Sequence, residues 1–559
     1  MTRPAFPFRV WNTLKGSVVD FEPLDKADAQ RENRIPRVRM YVCGPTVYDD
    51  AHLGHARCYI TWDVLYRFLC FSGYDVIYVR NITDVDDKIL ARAKERGETP
   101  AKLAERNYQS FRADMTALNV HSPTHEPKAT DYIAEMQLGI QTLLDKQAAY
   151  TTEDGSVYFR VAAKPDYGKL KFTTDEPTNL HQHLDDLKAG ARVEMEEGKE
   201  SPLDFALWKA VDIVDPDGWE SPWPNKASGK GWGRPGWHME CSAMNHALFG
   251  EQIDIHAGGA DLIFPHHENE IAQSEAWTGK KPFSRYWLHN GFVNVSGTKM
   301  SKSLGNFSTI KTILNRYSAN AIRYFLLTNG YRMPVDFNDE ALQSAQKWLE
   351  TREKSLIHSQ KKLGLEAPAL ESLLIHSVSE LQALCEATPT TDILDEFLTL
   401  IRWMNDDMNT SQALASLNKV MARLRQETIA LPENEPSSAS RDVLILTFRC
   451  TLSMWCLLGF DLQCILNEKK EINATSVTLP DSAIQQLYGE ITGQSASSQS
   501  VSLTLLTELL ILRKQAKAEK NWSQADAIRQ QLGTLDFKIF DHKDGSSALE
   551  KDGQEIVRH

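Results

Sequence analysis

Residues 38–68 read VRMYVCGPTVYDDAHLGHARCYITWDVLYRF, and this stretch decides the fold. Val38, Met40 and Val42 alternate with period two, the mark of a strand with one apolar face. Ile60, Val64 and Phe68 then recur at helical spacing, joined by Leu65 and Leu69. The order is strand, glycine-containing turn, helix. Cys43 ends the strand, and His52-Leu53-Gly54-His55 opens the helix. A helix start presents backbone N–H groups and the positive end of a dipole, so it suits phosphate. Gly54 lets a ligand approach the backbone, and His52 and His55 can donate to phosphate oxygens without a fixed charge. These residues predict an anion site with a thiol beside it.

Downstream, DVIYV at 75–79 is a short apolar run suited to a buried strand. Strand, helix and strand then make a right-handed parallel unit, with nucleotides expected at the carboxyl ends of the strands. Thr83, in NITD directly after the second strand, should face the same crevice as Cys43, unless NITD is a plain turn. Residues 88–150 read as helices and 151–160 as a hairpin around Asp154-Gly155. From 162 to 203 the chain is polar with little periodicity, as an insertion across a divided domain would be. Apolar character returns at 204–209, and a flexible loop at 225–233 leads into RPGWHMEC at 234–241.

A strand at 252–255 ends in HAGGAD, where Gly258 and Gly259 permit close approach of an adenine or ribose, or else a tight turn. Pro265 is placed as the first residue of the helix PHHENEIAQSEAW, on which His266 and Glu270 stand one turn apart. Cys43, Cys241, His266 and Glu270 together offer the donors of a zinc site. Spacing alone leaves buried free cysteines and a surface His/Glu pair open, and His267 with Glu270 serves almost as well. Lys299, Ser301 and Lys302 lie in the glycine-flanked KMSKS at 299–303. Such a loop can close over a polyphosphate and neutralise departing pyrophosphate, or it can be a solvated basic loop.

With 559 residues the chain has room for several domains, and 42% hydrophobic with 25% charged residues is an ordinary globular mixture. A net charge of −13 argues against indiscriminate nucleic-acid binding but leaves room for a local basic surface. Eight cysteines are too sparse for a disulfide framework and favour free thiols or metal ligands. No apolar run reaches the ~20 residues of a membrane span. The nearest, 443–466, is broken by Arg449 and Asp461 and reads as a buried helical hairpin. The opening MTRPAFPFRVWNTLKG lacks a signal-peptide core, so a cytoplasmic protein is expected.

HLGH at 52–55 and KMSKS at 299–303, in that order, resemble the paired motifs of the class I aminoacyl-tRNA synthetases, and within them the cysteine-specific branch. The likeness extends through YVCGPTVYDDAHLGHAR, NITDVDDKI, LDDLKAGARVE, LDFALWKA, GRPGWHMECSAM, DIHAGGADLIFPHHENEIAQSEA and MSKSLGNF. It continues into ANAIRYFLLTNGYRMPVDF at 319–337, MNDDMNTSQALA at 404–415 and a C-terminal helix at 512–532. Residues 172–181, 212–231 and 468–502 look longer than the family's usual connections.

The resemblance implies an α/β fold: a Rossmann-type parallel-sheet catalytic domain with an insertion, then an α-helical bundle and a small C-terminal anticodon-binding domain. Its divisions fall at 1–121 and 204–290 for the catalytic halves, 122–203 for the insertion, 291–345 for a stem-contact region with the KMSKS loop, 346–467 for the bundle, 468–502 for a linker and 503–559 for the last domain. The stripes Leu394, Phe397, Leu398, Ile401, Met404 and Ala413, Leu417, Val420, Met421, Leu424 support the bundle from periodicity.

By the same resemblance Zn²⁺ sits on Cys43, Cys241, His266 and Glu270, and Mg²⁺ arrives with ATP. His52, His55, Lys299 and Lys302 are the expected catalytic residues, and Gly54, Gly258, Gly259 and Ser301 complete the ATP contacts. Thr83, Trp237 and Asp261 form the cysteine pocket. The expected partners are tRNA(Cys), ATP and L-cysteine, acting on a monomer. Arg513, Lys514, Lys517, Lys520 and Arg529 with Trp522 suit anticodon contacts, although a solvated amphipathic helix has the same composition. Two other functions fit part of the pattern: a ligase joining cysteine to an amino-sugar, which needs no anticodon domain, and an inactive synthetase-like RNA binder, which predicts damaged phosphate motifs.

Overall fold

The computed structural model describes residues 7–171, 198–212, 215–295, 298–299, 308–388, 392–432, 438–462, 502–518, 521–533, 535, 537–541, 547–551 and 554–558. Two compact units divide the chain, 1–466 and 467–559.

The larger unit is built on four parallel strands, β3 (Arg37–Val42), β4 (Asp75–Arg80), β10 (Ile253–Gly259) and β11 (Ser284–Asn290), in the order β11-β10-β3-β4. Helix α1 (Leu53–Phe71) makes the crossover from β3 to β4, as the apolar periodicities predict. After β4 the chain leaves the sheet and returns on the other side of β3. The carboxyl ends of β3 and β10 therefore flank the point where strand order reverses, which is where an open α/β sheet has its crevice. Gly44 closes this end: a Cβ there would lie 1.4 Å from the Asn81 carbonyl oxygen, so only glycine lets the loops after β3 and β4 meet.

Between the two halves runs an antiparallel sheet of β5 (Ala149–Thr151), β6 (Val157–Phe159), β7 (Phe205–Ala210), β8 (Trp219–Glu220) and β9 (Trp232–Pro235), in the order β5-β6-β7-β9-β8. The expected hairpin at 151–160 is its β5–β6 pair. The insertion's central part, 172–197, with the stretch 172–181 and LDDLKAGARVE, lies outside the described residues. A small sheet of β12 (Val293–Val295), β13 (Thr298–Lys299) and β14 (Val335–Phe337) follows, with helix α4 (Ala319–Leu327).

The bundle contains α5 (Asp339–Leu363), α6 (Asp392–Asn405), α7 (Thr410–Ala430) and α8 (Ser438–Leu457). Both predicted stripes face its core, Leu398 alone being half-buried. The helical hairpin expected at 443–466 is instead the single helix α8, whose end at 457 is followed by a turn at Gly459, a left-handed position (φ 78°). Apolar content located the segment; the glycine that ends the helix was the signal passed over.

In the smaller unit, the one helix expected at 512–532 is two, α9 (Ser502–Ala518) and α10 (Trp522–Gly533), beside an antiparallel sheet of β15 (Lys538–Asp541), β16 (Ser547–Lys551) and β17 (Gln554–Arg558). The Asn521 carboxamide oxygen accepts from the Gln524 N–H at 3.3 Å, so Asn521 starts a new helix where a continuous pattern had been read. Linker 468–502 lies almost wholly outside the described residues. Among the described residues no helix is long and apolar enough to cross a membrane.

One buried carboxyl gives a pH-dependent expectation. Asp114, on the helix Pro100–Ala117, is 3% exposed and its Oδ2 meets no donor. Burial pushes its carboxyl up to about 6, with Lys311 pulling the other way. The native state then holds the proton more tightly than the unfolded chain, so this group costs stability as pH rises from about 4 towards 6. Asp114→Asn should raise the melting temperature near pH 8 and leave it unchanged at about pH 4, read in parallel thermal melts.

Candidate active site

Helix α1 begins with a reciprocal cap. The Gly54 N–H donates to His52 Nδ1 and the His52 N–H donates to His55 Nδ1, each at 3.1 Å. A ring nitrogen that accepts carries no proton, so each neutral imidazole bears its hydrogen on Nε2. The two rings stack at 4.0 Å between centroids. The cap thus fixes both donors and leaves the helix dipole aimed at the crevice.

The chain beyond the KMSKS loop adjoins this cap. Lys299 closes β13, which pairs with β12 after β11, and the first described residue beyond the loop, Ser308, accepts from the Leu53 N–H at 3.3 Å. Ile310 in turn donates to Ala51 at 2.9 Å. The Lys299 side chain and residues Ser301 and Lys302 lie outside the described residues.

On the far side of β3 four candidate metal ligands converge, and all four are buried. Cys43 is placed by β3, its N–H donating to Ala257 of β10 at 3.0 Å. Cys241 comes from helix α2 (Trp237–Phe249). His266 and Glu270 come from the turn before and the start of helix α3 (Glu268–Thr278). Phe264 is extended (φ −139°, ψ 133°) and is the one non-helical residue within 263–267, so helical backbone runs from Pro265, as expected, into α3. His266 Nε2 reaches Glu270 Oε1 at 2.9 Å, one turn along, as the spacing predicts.

Three separations among the ligand atoms have the spacing of a coordination tetrahedron, while His266 Nε2 and Glu270 Oε1 stand closer, at 2.9 Å. Cys43 and Cys241 Sγ are 3.9 Å apart, Cys241 Sγ is 3.6 Å from His266 Nε2, and Cys43 Sγ is 3.8 Å from Glu270 Oε1. Zinc bond lengths of about 2.3 Å to sulfur and about 2.0–2.2 Å to nitrogen or oxygen, at tetrahedral angles, call for edges of about 3.5–3.8 Å. Two thiols, an imidazole and a carboxylate are also donors that zinc favours.

Electrostatics agree. Burial alone would raise the Glu270 carboxyl, but His256 and His266 outweigh it and hold it at about 2. Burial likewise opposes ionisation of Cys241, yet hydrogen bonds from Cys43 and His266 bring it down to about 6. Cys43 is pushed up, first by burial and then by Cys241.

Several histidines that sequence reading left aside support these ligands. His256 Nε2 meets Glu270 Oε2 at 2.8 Å, and His238 Nδ1 meets His266 Nδ1 at 2.9 Å. His267, the alternative ligand, approaches Cys43 Sγ at 3.3 Å while its Nδ1 meets His289 at 2.7 Å. Cys43, His256, His267 and Glu270 form a second group with metal-binding spacing. A histidine inside a buried apolar strand, as His256 is in β10, must find a polar partner, and that was the available signal. His256→Ala should weaken zinc retention about 10- to 100-fold, measured by competition with a chromogenic chelator.

The pocket residues lie around this cluster. The Thr83 hydroxyl donates to Glu240 Oε2 at 3.0 Å, one residue from Cys241, and the backbones of Thr83 and Thr46 form a parallel bridge. Trp237 stacks on His266 at 4.1 Å. Asp261 is exposed just past β10, its Oδ1 2.5 Å from where a Cβ on Gly259 would stand, and a Cβ on Gly258 would press on the His267 ring. Glu240, buried and bound to Thr83, gave no signal because its partner lies far off in the chain, in the loop after β4.

The C-terminal cations are differently employed from the expectation. Arg513 is buried and makes two bonds to Asp541, at 2.9 and 3.1 Å, and Lys517 adds a third at 2.9 Å. Arg529 donates to the Ile539 carbonyl oxygen at 3.4 Å. These side chains brace the domain, whereas Lys514 and Trp522 are exposed. Lys520 lies outside the described residues.

A family described as tRNA synthetases class I (C) catalytic domain matches residues 30–347. The cysteine–tRNA ligase of Geobacter metallireducens is 40% identical over 545 residues, covering 96% of this chain and 99% of its own. That of Azotobacter vinelandii is 39% identical over 539 residues, covering 96% and 98%. Among solved structures, Mycobacterium tuberculosis methionyl-tRNA synthetase in complex with methionyl-adenylate is alike in fold. Its TM-score is 0.53 at 18% identity, over 77% of this chain and 92% of that one.

Proposed function

This chain belongs to the cysteine-specific class I tRNA synthetases, and from that membership we propose that it activates L-cysteine with ATP and transfers it to tRNA(Cys). The observation that carries the reading is the buried Cys43–Cys241–His266–Glu270 group, its ligand atoms all within 4.8 Å of one another, beside a helix start capped by two histidines.

In the first half-reaction a carboxylate oxygen of cysteine attacks the α-phosphorus of ATP, and the bond to the β,γ-diphosphate breaks. The start of α1 and the Nε2–H donors of His52 and His55 hold phosphate oxygens, so catalysis is positioning and charge stabilisation. Lys299 and Lys302 draw off the charge of departing pyrophosphate, and Mg²⁺ comes with the nucleotide. Gly258 and Gly259 leave room for the adenosine moiety. In the second half-reaction a hydroxyl of the terminal ribose attacks the adenylate carbonyl and AMP leaves.

Cys43, Cys241, His266 and Glu270 would hold zinc, which supplies a soft Lewis-acid position that prefers a thiolate to a hydroxyl. Trp237 walls the site against His266, and Thr83, oriented by Glu240, with Asp261 addresses the polar end of the amino acid. An apolar pocket alone separates such similar substrates only about 100-fold, so thiol recognition replaces editing. The chain spans nearly the full length of tRNA ligases, which weighs against an amino-sugar ligase lacking an anticodon domain.

The test is pyrophosphate exchange and tRNA charging with cysteine against serine, before and after chelation. Cysteine-dependent exchange that fails on chelation and returns with zinc is expected; transfer to a small amine and not to tRNA would overturn the reading.

A further inference from the structure

The bundle carries a cationic groove that the reaction above does not use. It lies between α5 and α7, with a volume of about 390 Å³, and Arg352, Arg425, Thr351, Ser355, Asn418 and Gln426 are among its lining residues. No acidic side chain lines it among the described residues. The neighbouring cations of α7 are neutralised, Lys419 by Glu396 at 3.2 Å and Arg423 by Glu427 at 2.6 Å. Arg352 and Arg425 have no carboxylate among the described residues, in a chain of net charge −13.

Arg352 is nevertheless held in place. Its guanidinium carbon lies 4.7 Å from the centre of the Trp348 ring, which stacks on Tyr324 of α4 at 3.9 Å and 17°. Stacking on an aromatic face fixes the plane of a guanidinium and leaves its edge donors for a ligand. Burial, and Arg425 close by, both lower the Arg352 pKa, as two cations facing one gap would. Such a pair is costly alone and is relieved by an anion between them. At the same groove Asn418 Oδ1 is buried and meets no donor, so the occupant should bring a hydroxyl as well as a negative charge.

We propose that this groove binds the ribose-phosphate backbone of tRNA, with Arg352 and Arg425 on one phosphate and Asn418 Oδ1 accepting from a ribose 2′-hydroxyl. An RNA strand carries both groups one bond path apart, whereas inorganic phosphate and DNA lack the ribose 2′-hydroxyl. The Tyr324–Trp348–Arg352 ladder leads from the segment 319–337, expected at the acceptor stem, to the groove. The proposal rests on the tRNA ligase reading.

The full chain, zinc-loaded, would be compared with R352A/R425A and N418A. For the double variant the expected result is a tRNA(Cys) KM about tenfold higher at similar kcat, with cysteine-dependent pyrophosphate exchange unchanged. The slope of log affinity against log salt should fall by about one unit. R352K/R425K should keep the slope and recover part of the affinity. N418A should weaken binding without changing the slope, and inorganic phosphate at millimolar concentration should not compete. An unchanged tRNA KM and slope in R352A/R425A, or an equal loss in exchange, would overturn the groove assignment, as would full competition by phosphate. A wild-type chain without cysteine-dependent exchange would instead overturn the ligase reading, while direct tRNA titration would still test the groove.

Discussion

Cys241→Ser should yield a folded chain without stoichiometric zinc, and cysteine-dependent pyrophosphate exchange should drop by more than about 100-fold, beyond the range expected for loss of an outer-sphere partner. The site is buried on all sides, so a serine hydroxyl there cannot ionise to replace the thiolate that Cys43 and His266 stabilise in Cys241. Three donors would remain, and the Glu270 carboxylate keeps its bonds to His256 and His266, so the fold around it should persist. Discrimination against serine should collapse further than the rate, because what remains of the site has no soft position that prefers a thiolate to a hydroxyl. Cys58→Ser is the control: that thiol lies on α1, outside both metal-binding groups, and its loss should leave zinc content unchanged. Zinc content by atomic absorption and the cysteine-to-serine ratio of kcat/KM check this directly. Full zinc with unaltered selectivity would remove the recognition role assigned to the cluster.

Much of this centre was legible because its parts are local. A period-two strand, a glycine turn and a period-3.6 helix occur within 38–68, and the cap at His52 follows from residue types that bond to their own neighbours. The metal set was not legible in that way. Cys43 and Glu270 are brought together by β3 lying beside β10, and spacing gives no measure of that, so the resemblance and not the periodicity singled out the four ligands. Histidines 238, 256 and 289 were invisible for the same reason: each owes its role to a partner on another element. Arg513 and Lys517 are the opposite case: charge on a helix suits RNA contacts or a solvated face alike, and Asp541, on a strand beyond the next helix, bonds to both.

Arg323→Met should destabilise the larger unit by about 3–5 kcal/mol at neutral pH, the cost of removing one partner of a buried ion pair. Asp63 and Arg323 are essentially inaccessible and meet at 2.7 Å, with Arg67 adding a bond to Asp63 at 2.9 Å. Arg323 also donates to the Leu118 and Asn119 carbonyl oxygens, each at 2.9 Å, joining α1, the end of the helix Pro100–Ala117, α4 and the turn after α8. A Cβ at Gly459 would stand 2.1 Å from its Nη1, so the glycine that ends α8 also makes room for this guanidinium. Burial raises the Asp63 carboxyl, but Arg323 and Arg67 hold it below the ordinary carboxylate range. A group depressed in this way contributes stability above its unfolded value near 3.9 and loses it as pH falls through the lower folded value. Removing Arg323 leaves burial less opposed, so Asp63 in the variant takes up a proton more readily as pH falls while the parent's Asp63 stays ionised, and the gap should narrow towards about pH 4.5. Asp63→Asn combined with Arg323→Met should recover part of the loss by lifting the charge imbalance, leaving the lost bonds to the carbonyl oxygens as the residual cost. Urea midpoints at pH 7.5 and about pH 4.5 for the four chains check the sign and the coupling together. Equal losses at both values would mean that Arg323 acts through its carbonyl bonds alone, and that the ion pair adds nothing to the junction between α1 and the bundle.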